Sequence, residues 1–130
     1  MKEKNFDVVI FGATGYTGKL VVEYMVKNYL DDNELNWTIA GRSQEKLKSV
    51  KEAFGLADSI NEIVVDSNDY ESVQKMVSQS KCVLTTVGPY QLYGSNILRA
   101  CAETGVDYVD LCGEPAWMHK MIQDYNEISK

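Results

Sequence analysis

The chain has 130 residues, of which 45% are hydrophobic and 25% charged, and its formal net charge is −6. This length and apolar fraction suit one globular domain with its own core, and no run of eighteen apolar residues predicts a membrane span. The acidic balance argues against a nucleic-acid partner, because binding to a phosphate backbone requires a basic face. A phosphate-containing ligand would need local cations, and arginine occurs only at Arg42 and Arg99.

The N-terminus leads almost directly into an apolar segment, so we expect neither a signal peptide nor a transit peptide, and an intracellular location. Three cysteines, Cys82, Cys101 and Cys112, occur at spacings that match no metal-ligand pattern. Each lies in an apolar context, which predicts buried thiols and no metal site. The single histidine, His119, is given no functional role.

The first predicted element is a strand over Phe6–Phe11, which leads into a glycine-rich turn and then into a helical pattern. Gly12 would allow the tight turn, Gly15 would let backbone N–H groups approach a pyrophosphate, and Gly18 would let the helix pack closely. The N-terminus of that helix would provide the anion site. The turn is therefore interpreted as a dinucleotide-binding loop. Its expected cofactor contacts are Gly12, Thr14, Gly15, Tyr16, Thr17 and Gly18.

The rest of the chain alternates between short apolar segments and segments of helical periodicity, which is typical of a parallel sheet with helices on both faces. Further strands are predicted over Trp37–Ala40, Glu62–Val65, Cys82–Val87 and Tyr108–Leu111. Right-handed crossovers would give a doubly wound α/β sheet, the Rossmann fold, with strand order 3-2-1-4-5. The chain ends where a sixth strand is expected. Residues 1–130 are therefore interpreted as the front part of a longer protein, without its substrate domain, and a small natural module is the alternative.

Ligands of this fold lie beyond the carboxyl ends of the strands. The second predicted strand is followed by Gly41, Arg42 and Ser43, with Lys46 one turn further. NAD(H) is usually held here by an acid on the ribose hydroxyls, whereas a guanidinium favours the additional 2′-phosphate of NADP(H). NADP(H) is thus predicted in preference to NAD(H), with Arg42, Ser43 and Lys46 as contacts. The alternative is that Ser43 only caps the helix Gln44–Phe54 and that Arg42 is a solvated charge.

Asp66 follows the third predicted strand. Its carboxylate could accept a hydrogen bond from the adenine amino group, and we expect it to contact the cofactor. Ser67 to Asp69 are explained by capping of the next helix, and capping is also the alternative role for Asp66.

After the fourth predicted strand, the chain continues with Val87, Gly88, Pro89 and Tyr90. We expect this segment to pass beside the ribose or the nicotinamide, because glycine permits a close approach and proline fixes the turn. No residue of the chain is identified as a proton donor, although Tyr90 and Tyr93 are the nearest by position.

Gly113 and Glu114 follow the fifth predicted strand and are expected to face the same crevice. Glu114 has two readings, since a carboxylate at a helix start either complements the helix dipole or faces the ligand.

Four segments together resemble the N-terminal domain of the saccharopine dehydrogenase-like oxidoreductases, a group that includes trans-acting enoyl reductases. The segments are Gly12–Gly18, Ala40–Ser43, Val87–Tyr90 with Tyr93-Gly94, and Tyr108–Glu114. The resemblance implies a Rossmann domain that binds NADP(H) or NAD(H). It also implies a larger region in the full protein that holds a small-molecule substrate and forms a homodimer. It does not imply lysine metabolism. Some animal relatives look associated with membranes or lipid droplets through downstream segments.

The sequence therefore predicts the NADP(H)-binding domain of an oxidoreductase that transfers hydride to or from a carbonyl, imine or activated alkene. Two alternatives stay open. A non-catalytic NADP(H) sensor or scaffold protein would keep the same cofactor residues. A methyltransferase that uses S-adenosylmethionine also has a glycine-rich turn, but it commonly carries an acid where this chain has Arg42.

Overall fold

A computed structural model describes residues 6–29, 35–56, 60–86, 95–110 and 115–129. Strands and helices alternate in the order β1 (Phe6–Phe11), α1 (Tyr16–Tyr29), β2 (Trp37–Gly41), α2 (Gln44–Phe54), β3 (Ile63–Val64), α3 (Tyr70–Ser78), β4 (Ser80–Thr85), α4 (Ser95–Thr104), β5 (Asp107–Asp110) and α5 (Pro115–Ser129). The five strands are parallel and lie in the order β3-β2-β1-β4-β5. The predicted Rossmann-type α/β architecture and strand order are confirmed.

The core has two halves, one on each face of the sheet, because successive side chains of a strand point to opposite faces. Val9 and Phe11 of β1 join a buried cluster with Val77 of α3 and Ile97 of α4. Ile10 lies between them in sequence and belongs to the cluster formed with α1 and α2. Helices thus cover both faces, and the carboxyl ends of the strands are left as the edge where a ligand can enter.

The β4 strand begins two residues earlier than predicted, at Ser80 rather than Cys82. Ser80 is fully buried and pairs with Phe6, and its hydroxyl donates a hydrogen bond to the carbonyl oxygen of Met76 at 2.8 Å. A polar residue can start a buried strand when its hydrogen bond is satisfied in this way, but a search for apolar runs does not detect it. The bounds of β1 are those predicted, and the bounds of β2, β3 and β5 differ from the predicted ones by one residue.

A partly buried ion pair fixes the chain that leads into β3. The ammonium of Lys51 on α2 lies 3.0 Å from a carboxylate oxygen of Glu62 and donates to the carbonyl oxygen of Ile60 at 2.6 Å. The two side chains are only 12% and 11% exposed. The backbone N–H of Glu62 and then the ammonium of Lys51 hold the pKa of the Glu62 carboxyl below its usual range. The pair therefore anchors the short edge strand to α2.

The cysteine thiols that the structure describes are Cys82 and Cys101, and both are free. Cys101 is buried, and burial raises its pKa to about 12, so its thiol is not ionised at neutral pH. Burial also raises the pKa of Cys82. The prediction of a buried thiol is confirmed for Cys101, whereas Cys82 is only partly buried, and Cys112 lies outside the described residues.

Candidate functional site

A cleft of about 300 Å³ opens at the carboxyl ends of β1 to β4. It is lined by Phe11, Gly12, Thr14, Gly15, Gly41, Arg42, Val65, Asp66, Ser67, Asn68 and Thr86. Residues from four separate parts of the chain meet there because parallel strands place their carboxyl ends at one edge of the sheet. Five of the predicted contacts are among them: Gly12, Thr14, Gly15, Arg42 and Asp66.

The floor of the cleft is formed by the glycine-rich turn after β1. Gly12 has a φ of 88°, a left-handed conformation that favours glycine. Its N–H donates to the carbonyl oxygen of Ala40 at 3.0 Å, and its own carbonyl oxygen accepts from the N–H of Gly15 at 3.1 Å. α1 begins at the next residue, Tyr16. Because the first N–H groups of a helix have no intrahelical acceptor, this end of α1 is suited to an anion.

Gly15 and Gly18 differ in why glycine is needed. A Cβ on Gly18 would lie 1.9 Å from the carbonyl oxygen of Gly12 and 2.8 Å from the Cα of Ala13, so the packing of α1 on the turn requires glycine. A Cβ on Gly15 would lie 3.5 Å from the carbonyl oxygen of Gly12, an ordinary contact. The protein itself therefore leaves room for a side chain at Gly15, which lines the cleft.

Two predicted contacts of the same turn stand away from the cleft lining. Tyr16 is 84% exposed, and Thr17 is also exposed in the first turn of α1. Their contact with a cofactor stays a prediction.

Arg42 lies at the mouth of the cleft, directly after β2. It is exposed, and its guanidinium forms no ion pair with any other residue that the structure describes. A Cβ on the preceding Gly41 would lie 3.2 Å from Leu47 and 3.6 Å from Thr14, so the chain passes close to the turn here. The guanidinium is thus held at the rim by ordered backbone while its donors are not used by the described part of the fold.

Ser43 is the N-cap of α2, and its hydroxyl oxygen accepts from the N–H of Lys46 at 3.3 Å. This is the capping role that the sequence offers as an alternative, and it uses the hydroxyl only as an acceptor. Lys46 does not line the cleft. It lines a neighbouring depression of about 470 Å³ between α1 and α2, which also includes Thr14 and Lys19.

Asp66 and the capping residue of α3 are separate. The N-cap is Asp69, whose carboxylate accepts from the N–H groups of Glu71 and Ser72. Asp66 is exposed at the wall of the cleft, where one carboxylate oxygen accepts from the N–H of Asn68 at 2.9 Å. This bond orders the turn between β3 and α3 and fixes the direction of the Asp66 carboxylate.

Thr86 is a cleft residue that the sequence-based prediction omits. Its N–H donates to the carbonyl oxygen of Phe11 at 3.0 Å, and its hydroxyl lies 3.2 Å from the carbonyl oxygens of both Phe11 and Gly12. On the other side of the cleft, the side-chain amide of Asn96 donates to the carbonyl oxygen of Ser67 at 2.9 Å. The two residues tie the loops of the cleft together. The sequence feature that could have indicated Thr86 is a polar side chain directly after a buried strand.

The remaining predicted contacts, Val87, Gly88, Pro89, Tyr90, Gly113 and Glu114, lie outside the described residues and stay predictions. In the part of the chain that is described, no three acidic, histidine or cysteine side chains gather as a metal site. No helix in that part combines the length and the apolar character needed to cross a membrane.

Residues 8–130 match the family described as the saccharopine dehydrogenase NADP binding domain. The chain belongs to this family. The resemblance seen in the sequence is therefore confirmed, and so is NADP(H) as the cofactor, since this domain of the saccharopine dehydrogenase-like oxidoreductases is NADP-binding.

The curated relatives include proteins from animals and from mycobacteria. The lipid droplet localized protein of Caenorhabditis elegans is 40% identical over 96% of this chain. The saccharopine dehydrogenase-like oxidoreductase of Mus musculus is 35% identical over 97%, and the trans-acting enoyl reductase of Mycobacterium leprae is 41% identical over 86%. The chain spans only 30%, 32% and 26% of these three proteins, respectively.

Solved structures share the fold at lower identity. Apo saccharopine dehydrogenase (L-Glu forming) from Saccharomyces cerevisiae superposes with a TM-score of 0.68 at 22% identity, over 88% of this chain and 23% of that one. Yeast methylglyoxal/isovaleraldehyde reductase Gre2 in complex with NADPH gives a TM-score of 0.63 at 21% identity, over 93% of this chain and 49% of that one. These likenesses support the Rossmann-type architecture.

Proposed function

We propose that this NADP-binding domain serves an oxidoreductase in which hydride passes between the nicotinamide of NADP(H) and a carbonyl, imine or activated alkene. The nicotinamide supplies the redox chemistry when it is bound, so the task of these residues is to bind and orient the cofactor. The substrate would be a small molecule held outside residues 1–130. The curated relatives support this, because this chain spans about a third or less of their length and the rest could hold a substrate. The full protein is proposed to act as a homodimer.

The observation that carries the proposal is the meeting of the glycine-rich turn, Arg42 and Asp66 in one cleft. Gly12, Gly15 and the N-terminus of α1 would hold the pyrophosphate, because backbone N–H groups and the helix dipole both favour an anion there. Asp66 would accept from the adenine amino group with the carboxylate oxygen that does not bind Asn68. Thr86 would keep the turn in place through its bonds to the carbonyl oxygens of Phe11 and Gly12.

Arg42 would hold the 2′-phosphate, and Ser43 would donate its hydroxyl to the same group. A guanidinium can bind a phosphate through two parallel hydrogen bonds, which is stronger and more directional than a single contact. A guanidinium without an ion-pair partner among the described residues matters in a chain with a net charge of −6, because the general field of the protein repels a multiply charged anion. Val87 to Tyr90, together with Gly113 and Glu114, would complete the site beside the ribose and the nicotinamide.

The test is a calorimetric titration of the purified domain with NADPH, NADH and S-adenosylmethionine. It is carried out on the unmodified chain, on Arg42→Ala and on the control Arg99→Ala. NADPH should bind more tightly than NADH. Loss of the charged contact in Arg42→Ala should weaken NADPH by about 1.5–3 kcal/mol, or about tenfold to 150-fold, and leave NADH nearly unchanged.

Arg99→Ala should leave both affinities unchanged, because the Arg99 guanidinium is bound to Glu103 away from the cleft. NADH that binds as tightly as NADPH, or an equal loss of both in Arg42→Ala, would contradict the role of Arg42. Binding of S-adenosylmethionine without either dinucleotide would contradict the whole proposal. Turnover of a carbonyl panel by the full protein would then separate an enzyme from an NADP(H) sensor.

A further inference from the structure

A second recess adjoins the cleft on the outer side of the glycine-rich turn. This depression, of about 470 Å³, lies between α1 and α2 and is lined by Thr14, Lys19, Lys46, Ser49, Val50, Ala53 and Phe54. Thr14 lines both the depression and the cleft. A ligand that fills the cleft near Thr14 therefore lies next to the two ammonium-bearing side chains of the depression.

The two lysines of the depression have no carboxylate partner within the described ranges. Lys27, Lys51 and Lys81 each form an ion pair, whereas Lys19 and Lys46 form none with another described residue. Lys48, Lys75 and Lys120 likewise form no ion pair with a described residue, so what sets Lys19 and Lys46 apart is that both line the same recess. Two cations that line one recess repel each other, and an anion between them removes that repulsion.

The position of these lysines in their helices points the same way. Lys19 lies in the first turn of α1. Lys46 lies in the first turn of α2, three residues after the N-cap Ser43. A positive charge near a helix N-terminus is opposed by the helix dipole, which favours anions there. Each lysine is thus unfavourable for its own helix. The two ammonium-bearing side chains, each of which lies near the start of its helix, together form a setting for a doubly charged anion.

We infer that Lys19 is a specificity-determining residue that acts with Lys46 on the 2′-phosphate of NADP(H), on the side of that phosphate opposite Arg42. The inference rests on the proposed function, because it requires the adenosine end of the cofactor to lie beside Arg42 and Thr14. Arg42 gives the directional contact, and the lysines add mobile point charges. NADH places no anion in the depression, so Lys19 should affect it little.

The experiment compares Lys19→Gln with the control Lys48→Gln in calorimetric titrations with NADPH and with NADH. Lys48 is an exposed lysine of α2 that lines a different recess, together with Glu52. Lys19→Gln should weaken NADPH about fivefold or more, as expected for one exposed charge-assisted contact, and change NADH less than twofold. Lys48→Gln should leave both cofactors within about twofold of the unmodified chain, because its charge is outside the depression.

Lys19→Arg, which keeps the charge, should retain most of the preference for NADPH. This variant is the control that separates loss of the charge in Lys19→Gln from misfolding. An unchanged ratio of NADPH to NADH affinity in Lys19→Gln overturns the inference, and the proposed function stands if Arg42→Ala still loses NADPH. An equal loss of both cofactors also overturns it, since Lys19 would then act on the shared pyrophosphate. Failure of the unmodified domain to bind either cofactor rejects the proposed function itself.

Discussion

The two arginines of the chain lie in contrasting surroundings. Arg99 on α4 binds Glu103 at 2.9 Å and lies 4.5 Å from the ring centre of Tyr70, whose hydroxyl donates to Glu103 at 2.8 Å. The guanidinium of Arg99 in turn holds the pKa of the Glu103 carboxyl below its usual range. Arg42, at the carboxyl ends of the strands, has no such partner among the described residues. The described part of the fold satisfies its charges between α3 and α4 but leaves the donors of Arg42 unused at the cleft.

Gly18 and Gly15 of the turn differ in the same way, because the fold requires the first and leaves space at the second. This difference gives the prediction with the largest effect. Gly18→Ala should lower the free energy of unfolding by about 1–3 kcal/mol, because its Cβ would meet backbone atoms of Gly12 and Ala13. Gly15→Ala should leave that free energy within about 0.5 kcal/mol, because its Cβ meets only an ordinary contact. Urea denaturation of both variants checks these values.

For the affinity for NADPH, Gly15 is expected to be the sensitive position. Gly15→Ala should weaken NADPH by about tenfold or more, or about 1.4 kcal/mol, since the new Cβ would stand where the pyrophosphate approaches. If Gly15→Ala folds normally and binds NADPH as well as the unmodified chain, the space at Gly15 is not the pyrophosphate site.

A smaller effect is expected from the partly buried pair of Lys51 and Glu62, which belongs to the fold and not to the cleft. In the folded state, the pKa of the Glu62 carboxyl lies below the value of about 4.3 for Glu in an unfolded chain. The pair therefore stabilises the fold fully above that value, and its contribution is lost as pH falls through the lowered folded pKa. Glu62→Gln should cost about 0.5–1.5 kcal/mol at pH 7, because the amide keeps an uncharged hydrogen bond to Lys51, and it should flatten the decline in stability toward pH 3.

The measurement is urea denaturation of Glu62→Gln and the unmodified chain between pH 7 and pH 3. The exposed pair of Arg99 and Glu103 provides the comparison, and Glu103→Gln should change the pH dependence less because solvent screens it. A Glu62→Gln chain with an unaltered acid limb would show that the pair does not hold β3 in place.

Local patterns in the sequence predict the parts of the molecule that are determined locally. Ser43 followed by an amphipathic segment predicts the α2 boundaries Gln44–Phe54 without error, because a capping side chain and helical periodicity lie within one short segment. The alternation of strands and helices likewise predicts the sheet order, since right-handed crossovers leave few topologies. Five of the predicted site residues line the cleft for the same reason.

Features that depend on contacts between distant segments could not be predicted. Thr86 binds the carbonyl oxygen of Phe11 across 75 residues of sequence, so its role follows only from the pairing of β1 with β4. The depression around Lys19 requires the packing of α1 against α2. Ser80 is assigned to a strand only once its hydroxyl is seen to be satisfied by Met76.

The central claim is that NADP(H) binds at the carboxyl ends of the strands, in the cleft and in the depression that adjoins it at Thr14. The most direct test is a titration of the ¹⁵N-labelled domain with NADP⁺, followed by amide chemical shifts. Saturable shifts are predicted at Thr14, Gly15, Arg42, Asn68 and Thr86, all of which line the cleft. The groove between α4 and α5, lined in part by Leu98, Met121 and Tyr125, should stay unchanged. Shifts confined to that groove, with none in the cleft at saturation, would contradict the account.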